Sequence, residues 1–304
     1  MKQMKINQLG TSELMVSELG LGCMSLGTNK EHAQNIIEAS LDEGINYFDT
    51  ADLYDFGVNE EIVGQALKSV RDQVIIATKV GNRWNEQKDG WSWDPSKAYI
   101  KEAVKNSLKR LNTEYIDLYQ LHGGTTDDNI DETIEAFEEL REEGIIKYYG
   151  ISSIRPNVIR EYVKKANIVS VMMQYSILDR RPEEEALPLL HENNISVVTR
   201  GSVAKGILSE RSLEKASESG YLDYNYEEVR ILTQSLKEKI GRSLTEVSLH
   251  YNLAHPAVAS VIVGASSVEQ VKENARAVQT PPLSEDELSF IRKVSKASTY
   301  VAHR

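Results

Sequence analysis

The feature that most constrains this chain is an alternation. Short apolar, strand-like runs are followed by amphipathic helical runs eight times over. The strand-like runs cover residues 19–23, 45–48, 74–78, 116–121, 146–152, 169–174, 196–200 and 260–263. The helical runs cover 31–43, 60–69, 95–111, 131–143, 157–165, 183–192, two stretches within 227–253, and 268–278. Strands that are apolar on both faces are strands buried beneath helices. Strict strand–helix alternation predicts a parallel sheet. Eight such units in about 280 residues predict an α/β fold of the (β/α)8 TIM-barrel type rather than an open sheet. A hairpin over residues 5–16, turning at Gly10-Thr11-Ser12, precedes the first unit. Asp94-Pro95 reads as the N-cap and first position of the third helix. Ile100, Val104, Leu108 and Leu111 then line one face. Ser284-Glu285-Asp286-Glu287 reads as a capping box opening an extra C-terminal helix. No linker or low-complexity stretch divides the chain, so residues 1–304 are expected to be one domain.

Composition narrows the partners. The net charge of -11 argues against nucleic acid and anionic membrane surfaces, which want a basic face. No apolar run approaches the ~20 residues of a membrane span. The N-terminal Met1-Lys2-Gln3-Met4-Lys5 is basic but leads into no apolar signal core, so a cytoplasmic location is expected. Cys23 is the single cysteine, and the six histidines have no zinc-site spacing, so no metal is expected. Oligomeric state is not legible.

Three strand-like runs end in polar groups. The second delivers Asp49, with Tyr54 five residues beyond it; the third delivers Lys79; the fourth delivers His122. In a parallel barrel the C-terminal strand ends share one rim, and catalytic groups gather there. A phenol with a reference pKa of about 10 is a poor acid at neutral pH. An adjacent ammonium makes its proton easier to give up, and a carboxylate keeps that ammonium charged. An imidazole nearby can hold a substrate oxygen. Together these are the requirements for protonating a carbonyl oxygen while hydride reaches its carbon. Each residue alone also reads as packing or a rim ion pair, as most of the 14 tyrosines must. The force lies in four complementary types on one rim.

These residues carry a resemblance. Phe48-Asp49-Thr50-Ala51-x-x-Tyr54, Ala77-Thr78-Lys79 and Tyr119-Gln120-Leu121-His122 resemble the signatures of the aldo-keto reductase superfamily, bacterial branch, and the likeness runs from the hairpin to Asn274. It implies Tyr54 as general acid, Asp49 and Lys79 as its tuning pair, and His122 as the carbonyl-positioning group. It also implies a nicotinamide cofactor. Gly22, Cys23, Met24 and Asp49 would lie along it; Ser152 and Gln174 would hold the carboxamide. Ser153 stands where the family usually has asparagine. Arg200, Gly201, Ser202, Val203 and Lys205 occupy the stacking and pyrophosphate segment, with Arg200 where many relatives carry an aromatic. Gly264, Ser266, Gln270, Glu273 and Asn274 would meet the adenosine end. Ser267-x-x-Gln270 alone is equally a helix cap, but the resemblance favours an adenosine phosphate at this helix start.

Trp84, Trp91 and Trp93 all fall in the loop after the Lys79 strand, over the expected rim. Three indoles suit a substrate pocket wall, the reading favoured for at least one of them, over a loop packed on the barrel top or a protein contact. Two other redox folds are excluded. Gly20-Leu21-Gly22 continues only to Gly27, the wrong spacing for a dinucleotide fingerprint, and no tyrosine has a lysine four residues later. The resulting expectation is NADPH-dependent reduction of small aldehydes or ketones, with NADH possible. Many bacterial relatives read Gly-Ala-Arg where this chain reads Gly264-Ala265-Ser266, so NADPH is expected to lead by a reduced margin. The alternative is a cofactor-binding partner module of slow turnover, like the cytosolic subunits of potassium channels.

Overall fold

The computed structural model describes residues 4–210, 215 and 218–304. The Met1-Lys2-Gln3 start and part of the connection after residue 210 lie outside them. Strands β3 (Leu19–Gly22), β4 (Tyr47–Asp49), β5 (Ile75–Val80), β8 (Ile116–Leu121), β9 (Ile146–Ser152), β10 (Ser170–Gln174), β11 (Ser196–Arg200) and β12 (Val258–Gly264) close into a parallel barrel, β12 pairing with β3. The expected (β/α)8 architecture is therefore present. Helices α1 (Lys30–Asp42), α2 (Val58–Leu67), α3 (Lys97–Leu111), α4 (Ile130–Glu142), α5 (Pro156–Lys165), α6 (Ala186–Glu192), α7 (Tyr226–Ile240), α8 (Leu244–Leu253) and α9 (Val268–Val278) follow their strands, and α10 (Glu285–Val294) ends the fold. The Ser284 capping box forms as expected.

Two expectations shift. Asp94-Pro95 does not begin α3: Ser96 is the N-cap, its hydroxyl accepting from the Tyr99 N–H at 3.3 Å. Asp94 instead accepts the Ser96 N–H and an Arg83 ion pair. Both sites are plausible cap chemistry, and the closing of the preceding loop decides between them. The tryptophan loop also has regular structure, a two-stranded hairpin of β6 (Asn82–Trp84) and β7 (Trp91–Trp93).

The β1 (Ile6–Gln8) and β2 (Met15–Ser17) hairpin seals the bottom of the barrel. Its Leu9, Leu14 and Val16 pack with Tyr47, Ile75, Leu118, Met172, Val198 and Ile262 in the interior. Strand residues of the opposite parity, such as Phe48, Ile76 and Tyr119, pack outward against the helices. This two-residue alternation fixes which side chains reach the top.

Candidate active site

Two residues above the interior layer stand the groups that face the rim. Tyr47 leads to Asp49, Ala77 to Lys79, Leu118 to Gln120, Met172 to Gln174, Val198 to Arg200 and Ile262 to Gly264. Register ties them into a ring: Gly22 pairs with Asp49, Lys79 with Gln120, Gln174 with Arg200, and Gly264 with Gly22. Of the sequence-predicted catalytic residues, Asp49 lies on β4 and Lys79 on β5, Tyr54 in the turn after β4 and His122 just past β8. The predicted cofactor residues follow from β9 round to β3.

Lys79 is the centre of the catalytic side. It is 1% exposed, and its Nζ donates to Asp49 Oδ2 at 2.7 Å, to the Thr50 carbonyl at 2.7 Å and to Tyr54 Oη at 3.4 Å. Burial alone would lower the ammonium pKa. The Asp49 carboxylate and Tyr54 outweigh that and hold it above its ordinary value. Burial pushes the Asp49 carboxyl up from its ordinary value, while Lys79 and then Gln120 pull it back; the ammonium, held by three acceptors, is a cation fixed beside the phenol. Gln120 Nε2 reaches the second Asp49 oxygen at 3.5 Å. Alternation from His122 along β8 would have flagged Gln120. The His122 ring meets Tyr54 edge-on, centroids 5.9 Å apart. Burial first, then Lys79 and Arg200, push its pKa down to about 3, so the imidazole is neutral. Its Nδ1 is buried without a hydrogen-bond partner.

The turn that carries Tyr54 is strained. Asp55 and Phe56 have φ of 48° and 51°, and Gly57 follows at 88°. A left-handed non-glycine residue costs roughly 1–2 kcal/mol, and such strain persists where the surroundings over-determine it. The Phe56 ring lies 5.8 Å from that of Trp84. Trp93 donates Nε1 to Asp128 at 2.9 Å, and its ring lies where a Cβ on Gly81 would come within 2.6 Å. Trp91 is 57% exposed. Trp84 and Trp93 therefore pack at the rim while Trp91 faces outward. Phe56 and Asp128 were not singled out in the sequence, because nothing local marks them.

On the cofactor side, Gln174 Nε2 donates to Asp179 Oδ2 at 2.8 Å and to the Tyr221 hydroxyl at 3.3 Å. Its Oε1 accepts from Arg200 at 3.2 Å. Asp179 is fully buried and held by Arg181. Asp179 and Tyr221 were missed because their relation to Gln174 is made only by folding. The Cys23 thiol is buried, its pKa raised by burial, and its carbonyl accepts from Asn59. Met24 beside it is exposed. Ser152 ends β9 half-buried; Ser202 is buried, its hydroxyl 3.4 Å from that of Thr199. Gly201, Val203 and Lys205 lie in the turn after β11, where Ala204, Lys205 and Gly206 again have positive φ. At the start of α9 the cap reading holds in part: Ser267 accepts from the Gln270 N–H, while the Gln270 side chain turns back to accept from the Ser266 N–H at 2.8 Å and its hydroxyl at 3.2 Å. His32 Nε2 lies 2.9 Å from the Ser266 carbonyl. Glu273 is exposed and Asn274 half-buried on the next turn. Among the described residues no cluster of potential metal ligands occurs, and no helix is long and apolar enough to cross a membrane.

Comparison with known proteins bears on this rim. The model of the aldo/keto reductase family matches residues 18–296. The oxidoreductase YqkF of Bacillus subtilis is 61% identical over 99% of this chain and 100% of its own. The NADH-specific methylglyoxal reductase of Escherichia coli is 31% identical over 97% and 99%. The holo form of the aldo-keto reductase AKR11C1 from Bacillus halodurans superimposes with a TM-score of 0.96 at 61% identity, covering 99% and 100%. With a family match over most of its length and relatives of this similarity, the chain belongs to the aldo/keto reductase family and is an NAD(P)H-dependent oxidoreductase.

Proposed function

We propose that this enzyme reduces small aldehydes and ketones to alcohols, with Tyr54 as proton donor and NADPH as the preferred reductant. The observation that carries the reading is the buried Lys79 ammonium, which joins Asp49 and Tyr54 beside a neutral His122. His122 holds the carbonyl oxygen by hydrogen bond. Tyr54 gives that oxygen its proton. The negative charge left on the phenol oxygen forms next to a cation that Asp49 and the Thr50 carbonyl keep in place. A bound nicotinamide dinucleotide supplies the hydride.

The rim residues fit such a cofactor. Gln174 has its amide N–H groups committed to Asp179 and Tyr221, which leaves its Oε1 to accept from a carboxamide once Arg200 turns away. Ser152 offers a hydroxyl beside it. Arg200 is planar and exposed, suited to lie against a ring. Gly201 to Lys205 and the N-terminus of α9 supply main-chain N–H groups and one ammonium for phosphates. Gln270, Glu273 and Asn274 would meet the adenine, Gln270 on release of its bonds to Ser266. At Ser266 a neutral hydroxyl replaces the guanidinium common in bacterial relatives, so the grip on a 2′-phosphate is weaker. That a relative is NADH-specific is consistent with a small margin.

Consumption of NADPH and NADH with a panel of small aldehydes and ketones tests the reading. Turnover with NADPH exceeding that with NADH is expected. Tight cofactor binding without turnover on any carbonyl would overturn the proposal.

A further inference from the structure

Beside the turn that carries Tyr54 lies a polar cluster that proton donation does not use. Glu60, in the first turn of α2, is fully buried. Its Oε1 accepts the Thr78 hydroxyl at 2.6 Å, and its Oε2 accepts Arg110 Nε at 2.7 Å. Arg110 comes from the last turn of α3 and also donates to Ser107 at 3.2 Å. Its aliphatic stem lies against Gly57: a Cβ at that glycine would be 2.7 Å from Arg110 Cδ. Its guanidinium carbon lies 6.0 Å from the Trp84 ring centroid, and Trp84 in turn faces Phe56. Asp52 completes the cluster, 1% exposed and with neither carboxyl oxygen hydrogen-bonded. Its main-chain N–H donates to the Lys79 carbonyl.

The turn itself has little to hold it. Tyr54 N–H to Ala51 O and Phe56 N–H to Leu53 O are its main-chain bonds, with Val58 N–H to Asp55 O closing it. Asp55 and Phe56 would relax toward negative φ if space allowed. The Arg110 side chain packs against Gly57 at the end of the turn, and the Trp84 ring packs on Phe56. We propose that Arg110 is a positioning residue for Tyr54: pinned by Glu60, Gly57 and Trp84, it holds the left-handed turn 55–57 closed and keeps the Tyr54 hydroxyl at the Lys79 ammonium. This rests on Tyr54 being the proton donor. Removing the guanidinium also strips the cation from two buried carboxyls. Burial and then Glu60 already push the Asp52 pKa up, with Arg110 opposing. A lysine keeps the charge, but it cannot bond Glu60 and face an indole with one planar group.

The test is a double-mutant cycle on the enzyme with NADPH and an aldehyde. Arg110→Met is expected to lower kcat at least tenfold with NADPH affinity within twofold of wild type, and Arg110→Lys to fall between. In a Tyr54→Phe background, Arg110→Met should remove nothing further from the residual rate. If Arg110→Met does not fold, Arg110→Lys carries the test, its loss again expected to be non-additive with Tyr54→Phe. A lowered melting temperature with wild-type specific activity in the folded variants overturns the positioning role, as does a loss that persists in full without the Tyr54 hydroxyl. Near-normal turnover in Tyr54→Phe alone overturns both this role and the proton-donor reading.

Discussion

A lysine at 1% exposure survives as a cation only because three acceptors surround it. If Tyr54 is the acid, Tyr54→Phe keeps the ring and loses only the proton. Carbonyl reduction should fall by at least ~100-fold, the low end for a lost general acid, with cofactor affinity little changed; steady-state rates and a fluorescence titration check this. His122 makes a separate prediction. Its folded pKa of about 3 lies below the ordinary ~6.5. The unfolded chain therefore takes this proton first as pH falls. The contribution to stability is complete above pH ~6.5 and is lost as pH drops toward 3. His250 and His255, also lowered by burial, act in the same direction. His122→Gln should flatten, not abolish, the fall in unfolding free energy between roughly pH 6.5 and 4. An unchanged slope in denaturant titrations would mean that the ring is not buried as a neutral base.

At the scale of elements, α9 is the informative one. Its start spends the Ser266 N–H and hydroxyl on Gln270, so the loop is already shaped without a charged group. Ser266→Arg keeps the main-chain bond and adds a guanidinium at the proposed 2′-phosphate position. A charge-assisted contact of about 1.5–3 kcal/mol corresponds to NADPH binding roughly ten- to hundredfold tighter. NADH should be nearly unaffected. Titrating both cofactors into wild type and variant decides it; equal effects on both would mean that residue 266 does not face that phosphate. The tryptophan hairpin shows the limit of element-level reading. Its indoles pointed to the rim, but their division into Trp84 on Phe56, Trp93 on the glycines at 81 and 123, and exposed Trp91 came from pairing of β6 with β7.

At the scale of the whole molecule, Arg180 is one of several ties between the C-terminal segment and the barrel, beside Lys296 to Glu228, Arg304 to Glu184 and the Asn157 N–H to the His303 carbonyl. Arg180 bonds Glu183 and the carbonyls of Arg292 and Ser295, and Glu183 also accepts from Tyr175 and Tyr251. Arg180→Met leaves a largely buried carboxylate without its cation. About 3 kcal/mol of stability should be lost, the lower figure for a broken buried pair. Because the cluster touches neither Tyr54 nor Lys79, the folded variant should keep its specific activity. A urea midpoint unchanged from wild type would contradict this.

The sequence by itself determined the order of strands and helices and the polar residues that close three of the strands. These depend on periodicity and on neighbours a few positions away. The likeness of the Asp49 to Tyr54 stretch to a known family added the expected roles. Only the tertiary structure decided that Lys79 Nζ lies 2.7 Å from Asp49 and 3.4 Å from Tyr54. It alone joined Gln174 to Asp179 and Tyr221, moved the α3 cap to Ser96, and set Arg110 against a turn 53 residues earlier in the chain. The physical reason is barrel closure. Contacts across the rim depend on the register of several strand pairs together, and no local pattern encodes a register shared by the whole ring.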